Sequence, residues 1–83
     1  MILQKNNFKQ NTKEKITMKG KVKWYNTRNG YGFIQGQDGE DAFVHKSEVP
    51  FWTIFLRKGD KVEYTKEYTL KGLQAIKLRL IQN

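Results

Sequence analysis

The sequence predicts an all-β fold, a small five-stranded antiparallel β-barrel preceded by a flexible arm. After Met18, five short segments alternate apolar and polar residues with the period of two that is typical of half-buried strands. Turns rich in Gly, Asn and Asp separate several of these segments. Only 37% of the 83 residues are hydrophobic, and a sheet with so little apolar surface buries it best by closing on itself.

The first 17 residues differ from the rest of the chain. They are polar, rich in Asn, Gln and Lys, and show no sustained period. We therefore predict a flexible basic arm over residues 1–17 and a single domain over residues 18–83. The longest apolar run, "VPFWTIFL", is too short to span a membrane, and no signal-peptide pattern is present. We expect a soluble cytoplasmic protein.

The first three strands are separated by two tight turns. "KGKVKWYN" predicts a strand that ends at Asn26, and "TRNG" predicts a turn with the Asn29-Gly30 hairpin signal. "YGFIQG" predicts the second strand, and "QDGE" predicts the next turn. "DAFVHK" predicts the third strand, with Phe43 and His45 on one face.

A longer connection, "SEVPFWTIFLRKGD", leads to the last two strands. "KVEYTKEY" predicts the fourth, with Val62 and Tyr64 on one face. "TLKG" predicts a turn before the fifth strand, "LQAIKLRLI". This last strand is predicted to point three side chains inward, namely Ile76, Leu78 and Leu80.

Aromatic residues recur on one predicted face of the second and third strands. Tyr31 and Phe33 are two residues apart, and would lie beside Phe43 and His45 if the two strands form a hairpin. An exposed patch of rings usually marks a binding surface. The alternative, that the rings form a wall of the core, would expose the aliphatic residues of the same strands and is a worse assignment.

Charge points to the kind of partner. Sixteen basic and eight acidic residues give a net charge of +8, shared between the arm and the domain. Such a balance favours polyanions, either nucleic acid or an acidic membrane surface. Rings flanked by cations suit single-stranded nucleic acid, because bases stack on the rings while cations contact phosphates. The predicted flanking cations are Lys21, Lys23, Arg28 and Lys46.

The stretches "GKVKWYN", "NGYGFI", "DAFVH", "LRKGDKVEY" and "GLQAIKL" closely resemble the cold-shock domain. The resemblance runs from Lys19 to near the C-terminus and includes two ribonucleoprotein-like motifs in the order typical of that family. It implies a five-stranded OB-type barrel that binds single-stranded RNA and DNA. It also implies a role as an RNA chaperone or transcription antiterminator.

The resemblance implies particular site residues. Asp41 would accept a hydrogen bond from a base edge or organise its strand. Trp24 shares strand parity with Val22, so their opposite orientations require a bulge or sharp coil in the first strand. The residues placed on the binding face are Lys23, Trp24, Tyr31, Phe33, Phe43 and His45, with Tyr25 near its edge.

The sequence departs from the family at several positions. Asn29 stands where the first motif usually begins with a cation, which Arg28 would supply instead. Lys46 follows the histidine where many bacterial members have an aromatic residue, so we expect a phosphate contact in place of a stacked base. The apolar loop residues have three interpretations, as plugs of the barrel mouth, a further stacking ring at Trp52, or a self-association patch. These residues are Phe51, Trp52, Ile54 and Phe55.

Other classes of protein fit the sequence less well. An RNA-recognition motif would need two helices and the opposite motif order. A ribosome-associated OB domain shares the fold, and a protein-interaction module would use the same rings as an apolar interface. Catalysis is not predicted, because His45 is the sole histidine and no carboxylate pair is placed for acid–base chemistry. We expect no cofactor, no metal and no membrane partner, and we expect a monomer.

Overall fold

The computed structural model describes residues 16–51, 53 and 56–81. It contains five strands, which confirms the predicted all-β class, and one turn of 3-10 helix at Lys46–Glu48. The strands form a closed barrel in the order β1-β2-β3-β5-β4. Their bounds are β1 Ile16–Asn26, β2 Tyr31–Gly36, β3 Asp41–His45, β4 Lys61–Thr69 and β5 Gly72–Leu80.

Strand β1 begins two residues before the predicted boundary between arm and domain. Ile16 pairs with Lys66 and Thr17 pairs with Thr65, so both residues extend the β1–β4 ladder. Residues 1–15 of the predicted arm lie outside the described residues.

One neighbouring pair of strands departs from the predicted antiparallel arrangement. Strands β3 and β5 run parallel and meet at a single bridge between Phe43 and Gln74. The other four neighbouring pairs are antiparallel. The cause is topological, because an odd number of strands in a closed ring cannot alternate in direction all the way round. A five-stranded barrel therefore contains at least one parallel neighbour pair.

The core lies inside the barrel, where the sequence pattern places it for the first three strands. Ile34, Ala42 and Val44 are fully buried, and they lie on the face of β2 and β3 opposite the aromatic residues. Val62 and Tyr64 of β4 share the core, as their alternation predicts. The remaining buried hydrophobic residues are Val22, Leu56, Ala75 and Leu78.

Strand β5 contains an irregularity that its sequence does not reveal. The β4–β5 register shifts, and Lys77 adopts a positive φ of 52°. The shift adds a residue to β5 and reverses the side-chain alternation, so Ala75 and Leu78 are both buried although they are three apart. The prediction that Ile76 points inward together with Leu78 and Leu80 is therefore wrong. Ile76 is only half-buried, and Leu80 packs at the margin of the core.

A buried lysine closes one end of the barrel. The side chain of Lys66 is only 6% exposed, and its Nζ donates to Asp38 Oδ2 at 2.5 Å and to Glu40 Oε1 at 2.8 Å. The Tyr68 hydroxyl donates to the same Glu40 oxygen at 2.9 Å. The bonds from Lys66 to the two carboxylates offset the desolvation cost of burying its ammonium group. They also tie β4 to the β2–β3 turn.

The same hydrogen bonds shift the pKa values of the three ionisable groups. Donation by Lys66 lowers the pKa of Asp38 and of Glu40 below their ordinary values of 3.8 and 4.5. The two carboxylates raise the pKa of Lys66 well above its ordinary value, against the opposing effect of its burial. The carboxylates therefore stabilise the fold above pH 3.8–4.5, and this contribution is lost as the pH falls through their lowered pKa values. The contribution of Lys66 is present throughout this range and is lost only in strong alkali.

We predict that replacing Lys66 flattens the acid dependence of stability. In Lys66→Met the two carboxylates lose the partner that lowers their pKa, so the free energy of unfolding should change less between pH 5 and pH 3 than in the parent chain. Urea unfolding at a series of pH values measures this difference. Lys71→Met, at an exposed position in the β4–β5 turn, is the control and should keep the parent's dependence. Equal acid dependence in Lys66→Met and the parent would contradict the prediction.

Candidate nucleic-acid interface

A β-bulge in β1 orients the first residue of the candidate site. Val22 pairs with Ile34, but Trp24 pairs with Phe33, so Lys23 is an extra residue on β1. Val22 is 2% exposed and lies in the core, whereas Trp24 is 42% exposed. The bulge that these opposite orientations require is therefore present. It places Trp24 on the outer face beside Phe33.

Four aromatic side chains form a contiguous cluster on this outer face, which we call the ring cluster. Trp24 lies 5.6 Å from Phe33 and 5.7 Å from Tyr31, measured between ring centroids. Phe43 lies 5.7 Å from Phe33 and 5.8 Å from Tyr31. Each ring therefore contacts two others. The distances and the stacked, tilted and edge-to-face orientations are those that aromatic pairs favour.

The ring cluster is not a wall of the core. Tyr31, Phe33 and Phe43 are half-buried, and the residues that alternate with them, Ile34 and Val44, are completely buried inside the barrel. The barrel thus fills its interior with aliphatic side chains and carries the rings outside. The parts of the four rings that remain exposed therefore lie on the outside of the barrel.

Gly32 permits the close approach of β1 and β2 beneath the rings. A Cβ atom at this position would overlap the carbonyl oxygen of Trp24 and lie 2.7 Å from the Cα of Tyr25. Both are backbone atoms, which cannot move aside without displacing β1. Only glycine therefore fits between Tyr31 and Phe33 while Trp24 is held against them.

His45 lies at one edge of the ring cluster, directly across the β2–β3 ladder from Tyr31. Its Nδ1 accepts a hydrogen bond from the backbone N–H of Ser47 at 3.1 Å and lies 3.0 Å from the Ser47 hydroxyl oxygen. With Nδ1 acting as an acceptor, the neutral imidazole carries its proton on Nε2. The exposed ring can then donate from Nε2. Ser47 was not among the predicted site residues, although its position two residues after the histidine is suited to this bond.

Two cations of the predicted set lie near the β1–β2 turn. The backbone N–H of Lys46 donates to the carbonyl oxygen of Gly30 at 2.8 Å. A Cβ at residue 30 would lie 2.8 Å from Cδ of Lys46, so the lysine stem covers this glycine and its ammonium group reaches solvent. Arg28 is exposed in the same turn.

Lys23 and Asp41 form an ion pair beside the ring cluster. Lys23 Nζ lies 2.7 Å from Asp41 Oδ2, with the two side chains 49% and 39% exposed. The pair joins β1 to β3 across the intervening β2. An exposed pair of this kind contributes little to stability, so its main effect is to fix the positions of both side chains.

Tyr25 is directed away from the ring cluster. It packs against the core, and burial raises the pKa of its hydroxyl. It lines a groove of about 660 Å³ beneath the connection that follows β3, together with Thr27, Lys46, Val49 and Phe51. The structure therefore separates Tyr25 from the other predicted rings. Trp52, Ile54 and Phe55 lie outside the described residues.

The described ranges 16–51, 53 and 56–81 contain neither a metal-holding cluster nor a membrane-spanning helix. Within them, no group of three His, Cys, Asp or Glu side chains is arranged to hold a metal ion. No helix in this part of the chain is long and apolar enough to cross a bilayer.

Comparison with known proteins identifies the family. The profile of the family described as the 'Cold-shock' DNA-binding domain matches residues 18–81. Cold shock protein 1 of Lactiplantibacillus plantarum is 48% identical over 59 residues, which cover 68% of this chain and 86% of the relative. A cold shock-like protein of Thermotoga maritima is 40% identical over 66 residues, which cover 78% of this chain and all of the relative.

A solved structure has the same fold. A Drosophila Unr structure described as CSD456 superposes with a TM-score of 0.69 at 23% identity, covering 93% of this chain and 31% of that one. Because the family model matches residues 18–81, this chain belongs to the cold-shock domain family, a family of non-enzymatic proteins that bind single-stranded nucleic acid. The resemblance drawn from the sequence is confirmed.

Proposed function

We propose that the ring cluster binds single-stranded RNA or DNA by stacking unpaired bases, with little sequence selectivity. The observation that carries this proposal is the position of the four rings, which lie together outside a barrel whose interior is already filled. The core does not need them there, and a contiguous exposed apolar patch with a polar rim marks an interaction site. Stacking on such rings contributes about 1–3 kcal/mol per base.

The polar groups around the rings support the same proposal. Lys23, Arg28, His45 and Lys46 surround the ring cluster, and lysine and arginine side chains there would contact phosphates. Since the whole chain carries a charge of +8, binding should weaken steeply as salt concentration rises. Duplex would fit poorly, because its bases are stacked on one another and are not available to the rings.

Binding of this kind supplies a passive mechanism for the RNA chaperone or antiterminator role. A protein that binds the unpaired strand shifts a hairpin towards its melted state in proportion to its free concentration and affinity. No nucleotide hydrolysis is required, and we propose no catalytic step. Cytoplasmic location and a monomeric state remain predictions.

We predict that removing one ring weakens single-strand binding. In a Trp52→Phe background Trp24 is the remaining tryptophan, so its quenching reports on titration with a short oligothymidylate. Phe33→Ala should weaken this binding by about 5- to 150-fold, the equivalent of one lost stacking contact. Leu70→Ala, at an exposed position in the β4–β5 turn, is the control and should bind like the parent. Equal and wholly salt-driven binding of single strand and duplex would contradict stacking and favour a protein partner for the rings.

We predict that Asp41 acts by holding Lys23 in place and does not accept a hydrogen bond from a base. Asp41→Asn removes a negative charge and frees Lys23 for a phosphate. Affinity for oligothymidylate should therefore rise at low salt, the logarithmic salt dependence should steepen by up to about 0.7, and stability should change by less than about 1 kcal/mol. Glu67→Gln, an exposed change of the same charge on β4, is the control. Affinity that falls at every salt concentration would show instead that the carboxylate contacts a base.

A further inference from the structure

A group of cations lies on the outer surface of β1 and of the segment that leads into β4, and we call it the basic strip. All four of its members are exposed, namely Lys21, Arg57, Lys58 and Lys61. Lys21 and Lys61 are direct partners in the β1–β4 ladder. Like charges directly opposite each other destabilise a sheet, so this placement costs the fold some stability.

The backbone holds the strip next to the bulge. Val22 donates to the carbonyl oxygen of Asp60 at 2.9 Å, and Gly59 donates to the carbonyl oxygen of Val22 at 2.8 Å. The turn that carries Arg57 and Lys58 is therefore bonded to β1 two residues before Trp24. The basic strip therefore adjoins the Trp24 side of the ring cluster.

The strip carries more positive than negative charge. In the described ranges, none of its four cations forms an ion pair within 4.0 Å, whereas Lys23, Lys66 and Arg79 each do. Asp60, the acidic residue of the turn, accepts the backbone N–H of Arg57 at 2.9 Å and fixes the turn's shape. The strip is thus a concentration of positive charge held by rigid backbone, which attracts a polyanion.

We propose that a single strand bound to the ring cluster continues past Trp24 across β1, and that its phosphates are bound by the basic strip. This inference rests on the proposed function of the ring cluster. The described residues of the strip include no aromatic side chain, so its contribution is electrostatic, insensitive to base identity and present only for strands long enough to reach it. The bound strand is then longer than the four rings alone would hold, within the roughly 4–16 nucleotides typical of OB folds.

The test compares oligothymidylates of four and ten nucleotides with the full chain, measured against salt concentration. In Lys21→Gln/Lys61→Gln, the ten-nucleotide strand should bind about 10-fold or more weakly near 0.1 M salt. Its logarithmic salt slope should fall by about 1.4, since each phosphate contact contributes about 0.7. The four-nucleotide strand should bind as it does to the parent. Thermal unfolding should show the variant to be at least as stable as the parent, because a like-charge pair has been removed.

The matched control is Lys71→Gln/Lys77→Gln, which removes the same charge from exposed positions outside the strip. It should leave the difference between the two strand lengths unchanged. An equal loss for both lengths in Lys21→Gln/Lys61→Gln, or no loss for the longer one, would overturn the proposal. Binding to vesicles that contain phosphatidylserine should be measured alongside. If Lys21→Gln/Lys61→Gln lost affinity for these vesicles and not for the oligothymidylates, the proposal would be overturned and the strip would be assigned to a membrane surface. Failure of the proposed function would give a different result. The four-nucleotide strand would then bind Phe33→Ala as tightly as it binds the parent chain.

Discussion

The candidate site depends on one extra residue in β1. In a regular strand Trp24 would point to the same side as Val22, into a barrel that has no room for it. The bulge at Lys23 reverses the alternation, so that Trp24 joins the rings of β2 and β3 on the outer face. The same reversal directs Tyr25 towards the core and the groove. A single backbone irregularity therefore allows β1 to share one aromatic surface with β2 and β3.

The rest of the fold supports this arrangement because the inside and the outside of the barrel carry different kinds of side chain. The interior is filled by aliphatic side chains and Tyr64, and the exterior of β1–β3 carries the rings and their surrounding cations. Gly32 allows β1 to approach β2 closely enough for Trp24 to contact Phe33. The buried Lys66 with its two carboxylates closes one end of the barrel without drawing on the ring surface. The ring cluster is therefore held on a rigid sheet and does not depend on a loop for its geometry.

Much of this could be predicted from the period of two in the sequence. The alternation of "YGFIQG" and "DAFVH" separates rings from aliphatic residues, and the structure keeps that division. The bulge at Lys23 was required once Trp24 and Val22 were assigned to opposite faces. The buried Lys66 also had a signal, because it shares strand parity with Val62 and Tyr64, but a lysine at such a position is normally taken as exposed.

Two features could not be predicted in the same way. Nothing in "LQAIKLRLI" marks the bulge in β5, because Ile76, Leu78 and Leu80 alternate as regularly as in a straight strand. The pairing with β4 overrides that local pattern. The second feature is which of the two neighbours Trp24 and Tyr25 faces outward. Alternation puts them on opposite faces, but the choice between the faces depends on the bulge and the register between β1 and β2, which is a tertiary property.

The measurement that decides whether unpaired bases stack on the ring cluster is a set of intermolecular nuclear Overhauser effects between thymine methyl protons and the aromatic ring protons of the protein. The complex would be formed with a short single-stranded oligothymidylate. Our account predicts contacts from the methyl groups to Trp24, Tyr31, Phe33 and Phe43. Methyl contacts confined to residues outside these four rings, in a complex that is otherwise well formed, would contradict it.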